Sequence, residues 1–310
     1  MEFGWVPDNE LHTVDFSLPP EPAGNMKVLG GIKHPYPRIY IGCARWGTPQ
    51  WIGKIYPPNT KEKDFLSHYV QHFNCIELNA THYKVNDQAA ITKWKVKAGD
   101  RDFLFCPKMF KGVTHQGSLL NKQAVTTEFL QGIRAFEDNL GPIFIQLSDA
   151  FGPERRDELF TYLHSLPNDM NFFLELRHPE WFINEKLRRE LFNNLYQLKI
   201  GAIITDTAGR RDCAHMHLTI PRAFIRYVGN NMHPTDFTRI DAWVERIKLW
   251  LDNGLQQLFF IMHMEEELCA PEMSIYMADK IKVVCGIEVQ KPAFISPGES
   301  PKDGQISFFE

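Results

Sequence analysis

The sequence predicts an α/β fold, a (β/α)8 TIM-like barrel, and three observations support this prediction. Eight short apolar runs recur along the chain, and helical patterns separate most of them. The segment from residue 38 to residue 285 has the length of such a barrel, about 250 residues. Continuous apolar character is typical of parallel strands that are buried on both faces. An open, doubly wound sheet is the alternative, but no glycine-rich dinucleotide loop follows any run.

The predicted strands begin at intervals of 24 to 39 residues, which suits a strand followed by a helix. They are RIYIGCARW from Arg38, CIELNA from Cys75, FLFCPKMF from Phe103, PIFIQLS from Pro142, NFFLELR from Asn171, IGAIITD from Ile200, FIRYVG from Phe224 and QLFFIMHM from Gln257. Between them, segments such as residues 61–73 and 241–254 repeat apolar residues every three or four positions, as amphipathic helices do. The weakest unit is residues 207–223, which leave room for only a short helix.

The segments that flank the predicted barrel have a different character. Residues 1–37 contain several prolines and no periodicity, so we interpret them as an N-terminal extension. Residues 286–310 combine proline, glycine, serine and charge with a short apolar end, which is typical of a flexible tail. The barrel itself is assigned to residues 38–285.

The composition limits the class of protein. The 310 residues include 34 Lys+Arg and 38 Asp+Glu, and the net charge of −4 excludes nucleic-acid binding through overall charge alone. No run approaches the roughly 18 apolar residues of a membrane helix, and residues 1–16 do not resemble a secretory signal. The six cysteines form no C-x-x-C pair, so we expect reduced thiols and a cytoplasmic protein that has no membrane partner. A nucleophilic Cys43 or Cys106 is the alternative.

Polar side chains follow nearly every predicted strand. In a (β/α)8 barrel the chemistry lies at the carboxyl ends of the strands, and polar groups buried there are costly unless they are paired or used. The candidates for catalysis are Glu77, Glu175 and Asp206. The candidates for substrate binding are Trp46, Asn79, Tyr83, Lys108, His115, Gln146, Arg177, His178, Trp181, Arg226 and His263.

The predicted mouth of the barrel has the opposite sign to the whole chain. Seven cations (Arg45, Lys108, Lys111, Arg177, Arg210, Arg211 and Arg226) oppose four anions (Glu77, Asp149, Glu175 and Asp206), which gives +3. A concave cationic site concentrates anions, and the interleaved aromatic residues Trp46, Trp51, Tyr83, Phe110, Phe151 and Trp181 suit the stacking of bases or sugars. We therefore expect a phosphate-bearing ligand or nucleic acid. The plainer alternative is that Glu–Arg pairs only close the top of the barrel.

Several motifs follow one another along the chain in a fixed order. They are IGCARWGTPQWIGKIYP at residues 41–57, ELNATHYKV from Glu77, the Phe-x-x-x-Pro-Lys run ending at Lys108, Thr114-His115, Gln146-Leu147, Glu175-x-Arg177-His178, Trp181, Asp206 and Arg226. This order resembles the YecE-like family, known as domain of unknown function 72, and the first run resembles the opening signature of that family. The resemblance covers residues 38–265 and implies a TIM-like barrel with its site at the strand ends, but it implies no activity. The chain departs from the family at Ala44-Arg45-Trp46, where Ser-Gly-Trp is usual. It departs again at Met262-His263-Met264, where the family usually ends the eighth strand with a Phe-Asn-Asn-type stretch. His263 either replaces those asparagines or marks a subfamily.

Three kinds of chemistry suit these residues. A hydrolase or lyase for a phosphate-bearing substrate would use Glu77 and Glu175 as acid and base, with Lys108, Arg177 and Arg226 on the phosphate. A carbohydrate-active enzyme would place the same two glutamates around a glycosidic bond. A metal-dependent phosphodiesterase would hold a divalent metal through Glu175-x-x-His178, with His115, Asp206, His215, His217 and His263 as further candidate ligands. Alternatively, these histidines only bind backbone.

The end of the chain suggests a partner. Gln305, Ile306, Ser307, Phe308 and Phe309 resemble the pentapeptide through which bacterial DNA-processing proteins bind the sliding clamp. A flexible tether, a glutamine and two apolar anchors suit a peptide that binds in a groove. The alternatives are an apolar tail that packs on its own barrel, or a non-catalytic nucleic-acid adaptor that the tail tethers to the clamp.

Overall fold

The structure is a computed structural model that describes residues 3–264 and 266–295, and its centre is a barrel of eight parallel strands. The strands are β1 (Arg38–Cys43), β2 (Cys75–Leu78), β3 (Leu104–Pro107), β4 (Ile143–Gln146), β5 (Phe172–Glu175), β6 (Gly201–Asp206), β7 (Arg222–Gly229) and β8 (Gln257–Met264). Each begins within two residues of its predicted start, so the predicted TIM-like barrel is confirmed.

The strands follow one another around the barrel in the order β3-β2-β1-β8-β7-β6-β5-β4. The remaining gap, between β3 and β4, is spanned by isolated bridges that pair Phe105 with Leu140 and Lys108 with Phe144. At the second bridge the backbone N–H of Met109 donates to the Phe144 carbonyl oxygen at 2.9 Å. The barrel is therefore nearly closed, with its weakest pairing between β3 and β4.

Helices surround the strands, as the apolar spacing predicts. Within the described residues they are α1 (Gly24–Leu29), α2 (Phe65–His72), α3 (Ala80–Tyr83), α4 (Gln88–Ala98), α5 (Lys111–Thr114), α6 (Gln123–Ile133), α7 (Arg156–His164), α8 (Glu180–Ile183), α9 (Glu185–Leu198), α10 (Pro234–Asp252) and α11 (Ala270–Cys285). The segment between β6 and β7 contains one short 3-10 turn, Arg211–Cys213. Helix α10 buries Ile240, Trp243, Ile247 and Trp250, which lie three or four residues apart on one face.

An aromatic layer fills the barrel lumen below the strand ends. Phe224 on β7 lies 5.8, 5.6 and 5.8 Å from the ring centres of Phe144, Phe173 and Phe259. Tyr40 also stacks on Phe259, with the two ring centres 4.9 Å apart. Successive side chains of a strand alternate between its two faces. The residue two positions after Phe224 therefore also faces the lumen, directly above this layer.

The residues before and after the barrel lie against it. Asn25 in α1 is fully buried, and its side chain accepts from the backbone N–H of Leu218 and donates to the Met216 carbonyl, both at 2.8 Å. After α11, the Gln290 side chain donates to the backbone of α2, at 3.2 Å from the Val70 oxygen. Residues 305–309 lie outside the described residues, so clamp binding stays a prediction.

The six cysteines are all unpaired thiols in the structure. Burial raises the pKa of the Cys43 thiol well above its usual value, and the nearby Glu267 raises it further. A high thiol pKa disfavours the thiolate that a nucleophile needs.

No helix within residues 3–264 or 266–295 has the length and apolar character to cross a bilayer.

Gly42 marks a close approach between β1 and β2. A Cβ atom at this position would overlap the carbonyl oxygen of Cys75, its partner in the strand pair. We expect Gly42→Ala to lower the free energy of unfolding by about 2 kcal/mol, because a methyl group forced into a packed region displaces backbone. Urea denaturation measures the loss. Gly24→Ala at the start of α1, where nothing lies within 4 Å of the added atom, is the near-neutral control. Equal midpoints for the two variants would contradict the prediction.

Candidate functional site

Arg226 on β7 is the centre of a buried charge cluster at the carboxyl ends of the strands. Its Nε and Nη2 donate to the two oxygens of Glu77 on β2, at 2.7 and 2.9 Å. Its Nη1 donates to Glu175 Oε2 on β5 at 2.9 Å. The three side chains are each at most 2% exposed. One guanidinium thus joins carboxylates from opposite sides of the barrel.

Glu175 has further partners at the end of β4 and just after β5. Gln146 donates from Nε2 to Oε2, and Arg177 donates from Nε to Oε1, each at 2.9 Å. Burial opposes ionisation of Glu175, but the charges of Arg226, Arg177 and Lys108 outweigh it and lower its pKa to about 2. Glu175 is therefore an ionised carboxylate whose acceptor positions are taken.

Glu77 is satisfied in the same way from β8 and from the turn after β2. His263 Nε2 lies 3.0 Å from Glu77 Oε2, and the Asn79 side chain donates to Oε1 at 3.1 Å and to the Ala44 carbonyl at 3.2 Å. Burial raises the pKa of Glu77, but Arg226 and His263 outweigh it and hold the pKa well below its usual value. His263 therefore acts as a partner of Glu77. We call Glu77, Asn79, Lys108, Gln146, Glu175, Arg177, Arg226 and His263 the mouth cluster.

This arrangement changes what the two glutamates can do chemically. Both carboxylates bind the same guanidinium, so Arg226 occupies the space between them. A glycosidic bond would need that space, since the two carboxyl groups of a glycosidase flank the scissile bond. The geometry therefore gives no support to Glu77 and Glu175 as a free acid–base pair.

Lys108 is the member of the mouth cluster that lacks a carboxylate partner. It follows β3, its side chain is 8% exposed, and its Nζ lies 5.6 Å from the centre of the Phe144 ring. Among the described residues, no carboxylate comes within ion-pair distance of Nζ. Burial and the nearby Arg226 lower the pKa of Lys108 to about 8. The amine is therefore a buried cation that loses its proton readily.

Two histidines and Tyr83 line the rim beside Lys108. The rings of His82 and His115 lie 5.0 Å apart, with His82 buried and His115 exposed. Burial and Lys108 lower the pKa of His82 to about 4, and the same two causes lower the pKa of His115. Tyr83 is 66% exposed, and Lys111 Nζ lies 5.3 Å from its ring centre. The rim on this side combines neutral imidazoles with an exposed aromatic ring.

The N-terminal segment completes the rim beside β5 and β6. The Phe3 ring stacks on the Arg177 guanidinium at 3.9 Å. The Gly4 carbonyl accepts from Thr207 Oγ1 at 3.0 Å and from the Gly209 backbone N–H at 2.8 Å. Nothing in the aperiodic N-terminal sequence indicates this contact.

The structure does not bring Asp206 into the mouth cluster. Its carboxylate accepts from Trp243 Nε1 at 2.7 Å, pairs with Arg239 Nη2 at 3.1 Å, and pairs with Arg211. Burial opposes ionisation of Asp206, but Arg239 and Arg211 outweigh it and lower its pKa. Because Arg239 and Trp243 belong to α10, Asp206 joins the barrel to this helix. We call Asp206, Asp236, Arg239 and Trp243 the helix-side cluster.

Neighbouring residues of β7 serve the two clusters. Arg226 faces the lumen, whereas Tyr227 faces α10, where its hydroxyl donates to the Asp236 carbonyl at 3.0 Å. The Tyr227 ring lies 4.3 Å from the Arg239 guanidinium. The alternation of the strand therefore separates two buried charge networks by a single residue.

The predicted stacking residues differ in access. Trp181 is 1% exposed and donates from Nε1 to the Phe151 carbonyl at 2.8 Å, so its ring is part of the core. Trp46 is half-buried and packs edge-to-face on Trp94 at 5.9 Å. Tyr83 is thus exposed to solvent and Trp46 is partly exposed, whereas Trp181 is buried.

The candidate metal ligands are dispersed. His178 accepts from the backbone N–H of Glu180 at 3.3 Å, and His215 Nε2 lies 3.0 Å from the Ile203 carbonyl. His217 stacks on Phe192 at 3.9 Å, away from the mouth cluster. In residues 3–264 and 266–295, no three His, Cys, Asp or Glu side chains gather as metal ligands. The metal-dependent hypothesis gains no support from this geometry.

Glu267 is a mouth residue that sequence reasoning missed. It is 8% exposed in the turn after β8, and its Oε1 lies 3.5 Å from Arg45 Nε. Its carbonyl accepts from Trp51 Nε1 at 2.9 Å. Burial raises its pKa to about 7, against the opposing charge of Arg45. No sequence signal distinguishes it from the glutamate that precedes it. By contrast, Arg239 could have been found, since it shares the apolar face of α10 with Trp243.

A nearly closed barrel of eight parallel strands, with polar side chains at their carboxyl ends, places the chain among the TIM-like α/β barrel proteins. The family model for "Protein of unknown function DUF72" matches residues 40–293. The chain belongs to this DUF72 family, which confirms the YecE-like assignment.

Relatives and solved structures agree with this assignment. UPF0759 protein YecE of Escherichia coli K12 is 28% identical over 253 residues, which cover 76% of this chain and 89% of YecE. UPF0759 protein YunF of Bacillus subtilis 168 is 29% identical over 153 residues, or 46% of this chain and 52% of YunF. The crystal structure of a DUF72 family protein from Enterococcus faecalis V583 matches with a TM-score of 0.63 and 15% identity, covering 84% of this chain and 99% of that one. The crystal structure of a DUF72 family protein from Thermotoga maritima MSB8 matches with a TM-score of 0.56 and 18% identity, covering 79% of this chain and 98% of that one. These structures establish the barrel fold.

Proposed function

We propose that the barrel mouth binds a phosphate-bearing substrate, a nucleotide or nucleic acid, and that Lys108 contacts the phosphate. The supporting observation is the buried Lys108 amine, which has no carboxylate partner among the described residues. Burying an unpaired cation is costly, so such a group is retained where a ligand supplies the missing charge. A phosphate oxygen would meet this need.

The charge balance of the mouth cluster favours an anion. Arg226, Arg177 and Lys108 carry three positive charges, and Glu77 and Glu175 carry two negative charges, which leaves +1 in a region shielded from water. Charges act more strongly there than in bulk water, because the local dielectric is lower. The cluster is thus preorganised for one further negative group.

Arg177 is suited to be the second phosphate contact. It uses Nε for Glu175, and neither of its Nη groups donates to a carboxylate among the described residues. Its side chain is 14% exposed at the rim, closer to solvent than Arg226. A guanidinium with free Nη donors binds a phosphate through two parallel hydrogen bonds.

The test is the affinity for AMP and for a fluorescent single-stranded oligonucleotide, by calorimetry and fluorescence anisotropy at two salt concentrations. We expect Lys108→Met to weaken binding about 10- to 100-fold, since a hydrogen bond to a charged group contributes about 1.5–3 kcal/mol. Lys108→Arg keeps the cation and is expected to retain most of the affinity. Lys93→Met on the exposed side of α4 is the control. Equal affinities for Lys108→Met and Lys93→Met would overturn the proposal.

Measuring whether the bound substrate is converted distinguishes an enzyme from a non-catalytic adaptor at this site. A hydrolase or lyase converts the bound substrate, and Lys108→Met abolishes the conversion. An adaptor binds the oligonucleotide with the same salt dependence and leaves it intact. Deletion of residues 305–309 tests the proposed clamp tether separately, through co-purification with the sliding clamp.

A further inference from the structure

We infer that Lys108 is also a nucleophile, whose amine forms a Schiff base with the carbonyl carbon of a phosphate-bearing aldehyde or ketone. The inference rests on the proposed function, because the bound phosphate would bring the carbonyl group to the amine. It adds a reaction to the binding site and names the substrate class.

The backbone around Lys108 is held firmly. Its N–H donates to the Leu78 carbonyl at 3.2 Å, and its carbonyl accepts from the buried Thr81 hydroxyl at 2.9 Å. The isolated bridge to Phe144 fixes it from the other side. A nucleophile that attacks a bound carbonyl must be positioned in this way, because reaction needs the two atoms about 3–3.5 Å apart.

The surroundings of the amine favour its neutral form. The face of the Phe144 ring lies beneath Nζ, and the Arg226 guanidinium lies 5.8 Å from the centre of the same ring. Burial of a lysine beside another cationic group is one of the recognised ways to activate its amine. The two nearby carboxylates, Glu77 and Glu175, raise the pKa of the amine, but both are bound to Arg226 and neither lies within ion-pair distance of Nζ.

Six charged or titratable groups act on the Lys108 amine. They are Glu77 on β2, Glu175 on β5, Arg226 on β7, Arg177 after β5, His82 on α3 and His115 after α5. Burial and Arg226 dominate, and the pKa of Lys108 falls to about 8. At pH 8 about half of the Lys108 amine is then neutral. An ordinary lysine, with a pKa of about 10.4, is less than about 1% neutral at this pH.

The step balances without any oxidant. The neutral Nζ attacks the carbonyl carbon and forms a C–N bond. One of the two amine protons moves to the carbonyl oxygen, and the proton that the ammonium released to solvent supplies the second. The C–O bond then breaks and the oxygen leaves as water. The product is a protonated imine, which carries the same single positive charge as the lysine ammonium. The mouth cluster therefore keeps its charge balance with the bound phosphate.

Borohydride trapping of the full chain tests this reaction. We expect glyceraldehyde 3-phosphate and sodium borohydride to attach the reduced substrate to Lys108, as located by mass spectrometry of peptides. The trapping rate should rise with pH and level off above about 8, whereas an exposed lysine continues to gain reactivity to about pH 10. A single-stranded oligonucleotide with one abasic site is the second probe, since it carries the same aldehyde and phosphate chemistry on a nucleic acid.

Lys108→Arg is the decisive variant, because it keeps the cation and removes the nucleophile. It should lose the adduct, while Lys93→Arg keeps it, and melting temperatures equal to that of the wild type show that both variants are folded. An adduct spread over exposed lysines, or one that persists in Lys108→Arg, would overturn the inference. AMP binding by the wild type without any Lys108 adduct would also overturn it and would leave the proposed function standing. A wild-type protein that neither binds AMP nor forms the adduct would overturn both the inference and the proposed function. The probe that forms the adduct faster shows whether the substrate is a free sugar phosphate or a nucleic acid.

Discussion

Arg226→Met is expected to lower the free energy of unfolding by about 3–5 kcal/mol, because it leaves two buried carboxylates without their shared cation. Glu77 and Glu175 are almost fully buried and ionised in the wild type. In the variant each would have to take up a proton or remain as an uncompensated charge. The loss should appear in urea denaturation at pH 7 and as a large fall in the melting temperature.

The pH dependence identifies the cause. The Glu175 pKa of about 2 in the folded protein lies below its unfolded value, so this group stabilises the wild type above about pH 4.5. That contribution disappears as the pH falls from about 4.5 towards 2. In Arg226→Met the folded pKa values are expected to lie above the unfolded ones. The difference in stability between wild type and variant should therefore shrink as the pH is lowered from 7 to 4.

Two controls make the Arg226 result specific. Arg134→Met removes an exposed pair with Asp169, whose side chains are 48% and 60% exposed, and should cost less than about 1 kcal/mol. Adding Glu77→Gln and Glu175→Gln to Arg226→Met removes the two uncompensated carboxylates and should restore much of the free energy of unfolding. Similar losses for Arg134→Met and Arg226→Met would show that the mouth cluster is not a stabilising network.

Asp206→Asn is expected to cost about 3 kcal/mol and to leave AMP binding at the mouth unchanged. The asparagine can still accept from Trp243, but Arg239 loses one of its two carboxylates in a region with no solvent access. Its remaining partners include Asp236, which lies 3.4 Å away. Stability is therefore lost through the helix-side cluster.

The same variant tests the candidate catalytic role of Asp206. A residue that acts on the substrate would lose turnover or affinity with little change in the melting temperature. A residue that holds α10 against β6 would lower the melting temperature and leave turnover and affinity unchanged. Asp241→Asn is a suitable control, since this aspartate lies on α10 with a side chain that is 45% exposed.

The barrel could be predicted from the sequence because its strands are buried on both faces. Runs such as IFIQ on β4 and FFLE on β5 are continuously apolar up to a polar last residue, so both the strand and its end are visible. The spacing of the runs then leaves room for one helix each. The same reasoning finds Glu77 and Glu175, which lie next to or at the last residue of their strands. Arg226 lies within β7 and is found as a charged residue in an apolar run.

The rest of the site was not predictable for a physical reason. A strand that is apolar on both faces has no alternating pattern, so the sequence does not show which side a polar residue faces. Asp206 and Glu175 both end a strand, yet one pairs with α10 and the other with Arg226. The contact of Phe3 with Arg177 joins residues that are far apart in the chain and depends on tertiary packing alone.

The alternation of side chains on β7 also specifies how this strand aligns with β6 and β8. Both faces of β7 are apolar apart from a few residues, so hydrophobic contacts alone would tolerate a slip of one position against β6 or β8. Such a slip exchanges the two faces of the strand. It would turn Arg226 towards α10, where Arg239 already lies, and would turn Tyr227 towards Glu77 and Glu175. The buried charges thus make the wrong strand alignment far more costly than the correct one.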